Sequence, residues 1–344
     1  MLINGKEYRS VWFEEGRLHL IDQNLLPFDF KTVSCQTHQE VADHISRMTV
    51  RGAPAIGAAG AYGMALAAHN APNNQFRASL REARSLLLES RPTAIDLHNA
   101  LDFVYEQTLK FIPDYDHARN VALLAANEFA NISAEDCRKI GIIGAELIPD
   151  GARILTHCNA GALATVDWGT ALAAIRMAHR KGKNIFVYVD ETRPRLQGSR
   201  LTAFELEQEG IPHAIITDAA AGFYFWKKEI DLVITGADRI CLNGDIANKI
   251  GTFEKAVLAS EFKIPFYIAA PLSTFDLSCR EGRQIPIEIR DEAEIKLFGG
   301  EYLSNPNSPA LNPSFDITPA KYITGIITPK GVFKAKEASQ KVQI

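Results

Sequence analysis

Residues 151–174, GARILTHCNAGALATVDWGTALAA, carry an apolar run of strand type that stops at a polar turn and restarts with helical spacing. Ile154 and Leu155 lie in the strand, and Asn159, Ala160 and Gly161 form the turn. Leu163, Val166, Ala171, Leu172 and Ile175 then recur every three to four residues, as on a buried helix face. The expected unit is strand, tight loop and helix N-terminus, with Cys158 where the strand ends. In an open parallel sheet, ligands gather beyond the carboxyl ends of the strands, and free N–H groups at a helix start favour anions. Chemistry is expected at this point of the chain.

Downstream, ARILTH is followed by NIFVYVD (184–190), HAIITD (213–218), DLVITGAD (231–238), PFYIAA (265–270) and YITGIIT (322–328), separated by helical patterns. Such alternation marks an α/β fold with a doubly wound, mainly parallel, Rossmann-like sheet. The expected catalytic domain is 141–344. No GxGxxG follows the first strand, so no nicotinamide cofactor is expected. Residues 299–315, rich in Asn, Pro and Ser, read as a surface loop or an element that covers the site.

Upstream, Tyr8, Val11, Trp12 and Phe13 precede a Glu15-Gly16 turn, with Leu18, Leu20 and Ile21 after it, the pattern of a β-hairpin over 7–26. Thr37 and Glu40 have the spacing of a capping box for a helix with Val41, Ile45 and Met48 inside, ending at Arg51-Gly52. Residues 51–68, RGAPAIGAAGAYGMALAA, place Pro54 at a first helical position with Arg51 facing the helix start. Gly57, Gly60 and Gly63 each cost about 1 kcal/mol of helix propensity against Ala, so close backbone packing is expected there. An amphipathic helix over 74–90 ends at Arg91-Pro92-Thr93, which sets Arg91 at a second helix N-terminus. Helices near 115–131 and 133–148 follow, the latter opened by Ser133 with Asp136 three residues on. Residues 1–140 thus read as a smaller N-terminal domain of a β-hairpin plus helices.

The 344 residues suffice for two domains, at about 100–200 residues each. A net charge of −4 with 23% charged residues shows no nucleic-acid footprint. Five cysteines, at 35, 137, 158, 241 and 279, are odd in number and form no CxxC, which argues against a disulfide framework or a structural zinc site and for a reducing cytoplasm. The N-terminus is charged where a signal peptide would be apolar, and no window reaches the ~18 apolar residues of a membrane span. A soluble protein with no membrane partner is expected.

Four strand ends carry polar groups: Cys158, Asp190-Glu191-Thr192-Arg193, Asp218 and Asp238-Arg239. An aspartate after a strand commonly caps the next helix, and a cysteine is commonly a small buried hydrophobe. A thiol at a helix start can instead have a depressed pKa and work as acid or base. Gln197-Gly198-Ser199-Arg200 and Asn248-Lys249-Ile250-Gly251 add amide and ammonium donors that suit phosphate and sugar hydroxyls. His157 adjoins Cys158, but neighbours in a strand point to opposite faces, so His157 is assigned to hydrogen bonding rather than to a Cys-His nucleophilic pair. A thiol, a carboxylate, two arginines, a lysine and amides, without a metal cluster, describe an acid/base enzyme acting on a phosphorylated sugar.

RGAPAIG (51–57), RPTA (91–94), THCNAGALAT (156–165), VDETRPRLQGSRLTAFEL (189–206), GADRICLNGDIANKIGT (236–252) and FDITPA (315–320) resemble the methylthioribose-1-phosphate isomerase family of methionine salvage. The resemblance spans nearly the whole chain. It implies conversion of 5-methylthioribose 1-phosphate to 5-methylthioribulose 1-phosphate without cofactor or metal, by a homodimer. It makes Cys158 and Asp238 the catalytic pair and Arg51, Gly52, Ala53, Arg91, Gln197, Asn248 and Lys249 the substrate-binding set. More distantly the chain resembles the regulatory subunits of the exchange factor for translation initiation factor 2, which share the fold but not the reactive pair. Departures from the family pattern are Arg195, AAGFYFWKK at 220–228 and CLN at 241–243. The alternatives are an isomerase of 5-deoxyribose 1-phosphate or ribose 1,5-bisphosphate, or a non-catalytic assembly subunit.

Overall fold

The six apolar runs pair side by side in a computed structural model that describes residues 1–91 and 94–342. The sheet order is Gly331–Phe333, Gly325–Thr328, Phe266–Ala269, Leu232–Thr235, Arg153–Thr156, Phe186–Asp190, His213–Ile216. The last six of these are mutually parallel, and only the edge strand Gly331–Phe333 runs antiparallel. Numbered along the chain, the parallel strands lie in the order 3-2-1-4-5-6 of a doubly wound sheet, whose direction of winding reverses between the first and fourth.

Alternation explains why these strands are apolar throughout. Ile154, Val187, Leu232, Ile234, Ala269 and Ile327 share one core, while Leu155, Tyr188, Val233, Ile268 and Ile326 share another. Successive side chains of a strand point to opposite faces, and here both faces are covered. Each fully buried Val, Leu or Ile contributes about 1.5–3 kcal/mol. The fold class read from the sequence is the one observed.

The chain folds as two compact units, Met1–Arg138 with Gly161–Gly169, and Lys139–Ala160 with Thr170–Ile344. The first unit holds a three-stranded antiparallel sheet, Val11–Glu14, Arg17–Ile21 and Thr32–Cys35, one strand more than the expected hairpin. The capping box is present: Thr37 Oγ1 accepts from the Glu40 N–H at 3.3 Å and Glu40 accepts from the Thr37 N–H at 3.1 Å. The helix it opens, His38–Ser46, stops short of the expected Arg51-Gly52. The next helix, Ala53–Asn70, is buried from Ala55 to Ala68. Its glycines sit where a Cβ would strike a neighbour: the Asp96 carbonyl at 2.9 Å from Gly57, Leu97 Cδ1 at 2.4 Å from Gly60 and Leu87 Cδ2 at 3.0 Å from Gly63.

Several expectations are corrected. The periodicity of 163–166 is not helical. Helix begins only at Ala171, after a single 3-10 turn at Ala162–Ala164. Positive φ at Trp168 and Gly169 interrupts any helix, and Leu163 and Val166 are apolar because they are buried in the first unit. There Ser10 N–H donates to the Val166 carbonyl at 3.0 Å and Gln23 Nε2 to the Leu163 carbonyl at 2.7 Å. The two helices expected at 115–131 and 133–148 are one, Tyr115–Ala145, since no glycine or proline precedes Gly141 to break it at Ser133. Arg91 ends the helix Phe76–Ser90 instead of starting the next, which has Ala94 as its N-cap; Pro92 and Thr93 lie outside the described residues.

Gly57→Ala gains about 1 kcal/mol of helix propensity but forces a methyl against the Asp96 backbone. Overpacking against an unyielding neighbour costs about 1–3 kcal/mol. The variant should therefore melt at a lower temperature than the parent in calorimetry, and an unchanged or raised Tm would show that the two helices can separate freely.

Candidate active site

The winding of the sheet reverses between Arg153–Thr156 and Leu232–Thr235, the place where such sheets leave a crevice beyond their carboxyl ends. Cys158 lies two residues past the first strand and Asp238 three past the second. Thr156 Oγ1 donates to the Ile234 carbonyl at 2.8 Å, and a Cβ on Gly236 would come within 3.0 Å of Ala160 Cβ. The loops that carry Cys158 and Asp238 thus meet, and Gly236 permits it.

Asp238 is exposed, and its N–H donates to the Ala247 carbonyl at 2.9 Å. That bond opens an antiparallel pair of Arg239–Cys241 with Ile246–Lys249, part of a four-stranded sheet that the apolar pattern did not reveal. The pairing brings Asn248 and Lys249 beside Asp238. Asn248 Nδ2 donates to Thr252 Oγ1 at 2.9 Å; Lys249 Nζ donates to the Ser314 carbonyl at 2.8 Å and lies 4.7 Å from the Phe315 ring centre. The 299–315 segment is exposed over 299–309, while its buried end, Asn312 and Ser314, runs past Lys249.

Cys158 does not adjoin a helix start, since its own next helix begins at Ala171. It occupies a left-handed backbone conformation, φ 63°, which costs a non-glycine residue about 1–3 kcal/mol and persists only where surroundings enforce it. Its N–H donates to Thr192 Oγ1 at 2.9 Å and its carbonyl accepts from Thr202 Oγ1 at 2.7 Å. Thr192 is itself left-handed, φ 64°, and donates to the Asp190 carbonyl at 3.0 Å. The thiol is half-buried.

His157, the first residue past the strand Arg153–Thr156, engages both ring nitrogens in hydrogen bonds. Its Nδ1 lies 2.8 Å from Asp190 Oδ2 and its Nε2 2.8 Å from the Ile250 carbonyl. Lys255, fully buried, lies 3.5 Å from Asp190 Oδ2 and donates to the Asp218 carbonyl at 2.8 Å and to Glu254 at 2.9 Å. Burial pushes the Asp190 carboxyl up from its usual range, against the opposing pull of His157 and Lys255. Burial would lower Lys255, but Asp190 and Glu254 outweigh it and raise its pKa. His157, Asp190 and Asp218 offer ligand atoms within 4.8 Å of one another. Lys255 already supplies the cation there, and the Asp218 carboxylate is taken by the N–H groups of Thr192 and Arg193 at 2.8 and 2.7 Å.

Gln197 is buried, and among the described residues its Oε1 has no hydrogen-bond partner. A Cβ on the next residue, Gly198, would sit 1.7 Å from the Asp190 carbonyl, so only glycine lets this turn press on the strand end. Cys158, Gln197, Asp238, Asn248 and Lys249 therefore gather around the carboxyl edge of the second unit. Arg51, Gly52, Ala53 and Arg91 belong to the first. There Gly52, φ 95°, caps the helix that Ala53 begins, and a Cβ on it would lie 2.2 Å from the Ala164 carbonyl. Arg195 pairs with Glu294 at 3.0 Å. Thr202, Lys255 and Asp316 had no role in the sequence reading, and Thr192 stood there only among the polar residues after one strand. Asp316 stood in a recognised motif without a function, and a lysine inside a helix reads as a solvated face.

The sequence profile of the Initiation factor 2 subunit family matches residues 49–335. A methylthioribose-1-phosphate isomerase of Roseiflexus castenholzii is 51% identical over 94% of both chains, and one of Pelotomaculum thermopropionicum 49% identical over 94% of this chain and 90% of its own. Among solved structures, 5-methylthioribose 1-phosphate isomerase from Pyrococcus horikoshii OT3 superposes with a TM-score of 0.91 at 42% identity, covering 98% of this chain and 95% of that one. A chain described as translation initiation factor eIF-2B, subunit delta, from A. fulgidus gives 0.88 at 40% identity, covering 98% and 100%.

Asp316 accepts from the N–H groups of Gly251 at 2.7 Å and Phe253 at 3.1 Å, capping the helix Thr252–Glu261 from outside. Burial nevertheless pushes its carboxyl from 3.8 to about 6, against those two donors and the charges of His157 and Lys255. The folded-state value exceeds the unfolded one, so the folded protein holds the proton more tightly between 3.8 and about 6. This group's contribution to stability therefore falls as pH rises through that window, by on the order of 3 kcal/mol at most. In urea titrations across the window, the stability of the wild type relative to Asp316→Asn should decline as pH rises. A constant difference would show that Asp316 ionises normally.

Proposed function

This chain belongs to the Initiation factor 2 subunit family, and we propose that it is the member that isomerises 5-methylthioribose 1-phosphate to 5-methylthioribulose 1-phosphate in methionine salvage. What supports the reading is that a thiol, Cys158, and a carboxylate, Asp238, stand on the loops beyond the two strands that flank the switch point. Amide and ammonium groups of Gln197, Asn248 and Lys249 surround that edge. The names of relatives at 49–51% identity supply the substrate. A cytoplasmic, homodimeric enzyme without nucleic-acid partners belongs to the same proposal, as does a division into domains 1–140 and 141–344.

In an aldose 1-phosphate the anomeric oxygen is esterified, so the ring cannot open by loss of a hydroxyl proton. Asp238 protonates the ring oxygen and handles the oxygen-bound protons as the chain opens. Cys158, beside C1 and C2, carries the hydrogen between them as a proton. Lys249 contacts the phosphate, and Gln197 and Asn248 hold sugar hydroxyls; Arg51, Gly52, Ala53 and Arg91 complete the substrate-binding set that the resemblance to the isomerase family implies. The regulatory subunits that the chain resembles more distantly lack the reactive pair, so the presence of Cys158 and Asp238 favours the enzyme over a non-catalytic assembly role. A bisphosphate needs further cations, since burying a second phosphate unpaired is prohibitive. Arg195, the cation closest in sequence to Gln197, is already engaged by Glu294.

Asp238→Asn and Cys158→Ser should each lower kcat by at least ~10², the lower range for a positioned acid or base, with little change in KM. Retention of most of kcat by either variant removes that residue from the mechanism. In deuterated water, deuterium at C1 of the product supports proton transfer; its absence, with internal return excluded, points to a direct C2-to-C1 hydride shift.

Arg91→Ala should raise KM more than it lowers kcat, because a phosphate contact made equally in ground and transition states is uniform binding. Comparing kcat/KM for 5-methylthioribose, 5-deoxyribose and ribose 5-phosphate forms of the 1-phosphate tests the substrate. A pocket discriminates a single apolar extension by about 1–3 kcal/mol. A preference for either competitor beyond about tenfold, about 1.4 kcal/mol, reverses the assignment.

A further inference from the structure

We propose that His157 is a positioning residue that holds the Cys158 turn in its left-handed form through one proton shared with Asp190, an inference that rests on the isomerase reading for its effect on rate. The Ile250 carbonyl can only accept, so His157 Nε2 carries a hydrogen at that 2.8 Å contact. His157 Nδ1 and Asp190 Oδ2, also 2.8 Å apart, would then face each other with lone pairs unless a proton lies between them. Whether that proton sits on the ring or on the carboxyl, the buried pair holds one. Both side chains are sealed, at 1% and 0% exposure, so water cannot replace the bond.

The pair ties three strand ends together. His157 follows the strand of Arg153–Thr156, Asp190 closes the strand Phe186–Asp190, and Ile250 follows Lys249 at the end of Ile246–Lys249. The charged groups around it are Lys255 at 3.5 Å from Asp190 Oδ2, Glu254 on the same helix as Lys255, Asp218 on the loop after His213–Ile216, and Asp316 bonded to the Gly251 N–H. Removing the shared proton sets an imidazole lone pair against a carboxylate in a sealed site, and the loop bearing Cys158 loses its anchor. Thr192 and Thr202 hold the backbone of Cys158 itself, and His157 fixes the residue before it.

The test uses the full-length enzyme. His157→Asn should lower kcat by about 10², the cost of misplacing a reacting group by about 1 Å, with KM little changed. Asp190→Asn should cost less, because an amide can turn either its NH2 or its carbonyl toward Nδ1. Independently of activity, proton NMR of the wild type should show one strongly downfield, exchange-protected resonance that is absent in both variants. Full kcat in His157→Asn, or no such resonance at neutral pH, would each overturn the proposal. Should His157→Asn fail to fold, the wild-type resonance and its loss in Asp190→Asn decide. A resonance present in a protein inactive on all three sugars would refute the isomerase reading while supporting the clamp.

Discussion

The strand Arg153–Thr156 is hydrogen-bonded to a parallel neighbour on each side, Phe186–Asp190 and Leu232–Thr235. Neither neighbour follows it by a tight turn, because parallel strands require a crossover. The chain therefore winds outward from the central strand on one side, returns, and continues on the other, and a crevice opens beyond the carboxyl ends where the direction reverses. Every candidate catalytic group of the second unit comes from a loop that this reversal positions: 158 after the first strand, 190–198 after the second, 236–238 after the fourth.

Glycine decides how closely those loops can meet. Gly198 rests on the Asp190 carbonyl and Gly236 on Ala160, where any side chain would collide with the backbone or with a neighbouring Cβ. The strained turn at Cys158 is the counterpart of this closeness. A non-glycine residue at φ 63° is stabilised there by Thr192 and by Thr202 of the helical turn Gly198–Thr202, not by its own sequence neighbours. The same crowding buries Asp190, His157 and Lys255 together. Charges sealed in this way are tolerable only when paired, and the pairing makes the loops mutually dependent.

The first unit solves a different packing problem. Its helix Ala53–Asn70 is buried on all sides, so it lacks the amphipathic stripe of a surface helix. Small residues let the helix Ile95–Leu109 approach within reach of its backbone. Residues 161–169 join this unit and not the sheet that precedes them in the chain. Their apolar residues therefore fill a core distant in sequence, a use that spacing alone presents as a helix face.

Local regularities were legible in the sequence because their causes are local. Apolar runs at strand length, separated by helical patterns, determined the parallel sheet; Thr37 and Glu40 determined a helix start; the glycines of 57–63 announced close packing; and polar residues after apolar runs marked Cys158, Asp190, Asp218 and Asp238. The three-to-four spacing beyond Gly161, the expected break at Ser133 and the helix start assigned to Arg91 failed, since periodicity reports burial without saying against what. Tertiary structure alone decided which strand ends became neighbours. It turned Asp218 into an anchor for the Thr192 loop rather than a helix cap, and His157 into a bridge between Asp190 and Ile250. It also placed the carboxylate of Asp316 over a helix start more than 60 residues away in the chain, 63 for Phe253. Such contacts depend on strand order and loop approach, and no one-dimensional pattern encodes the distance between residues that only folding brings together.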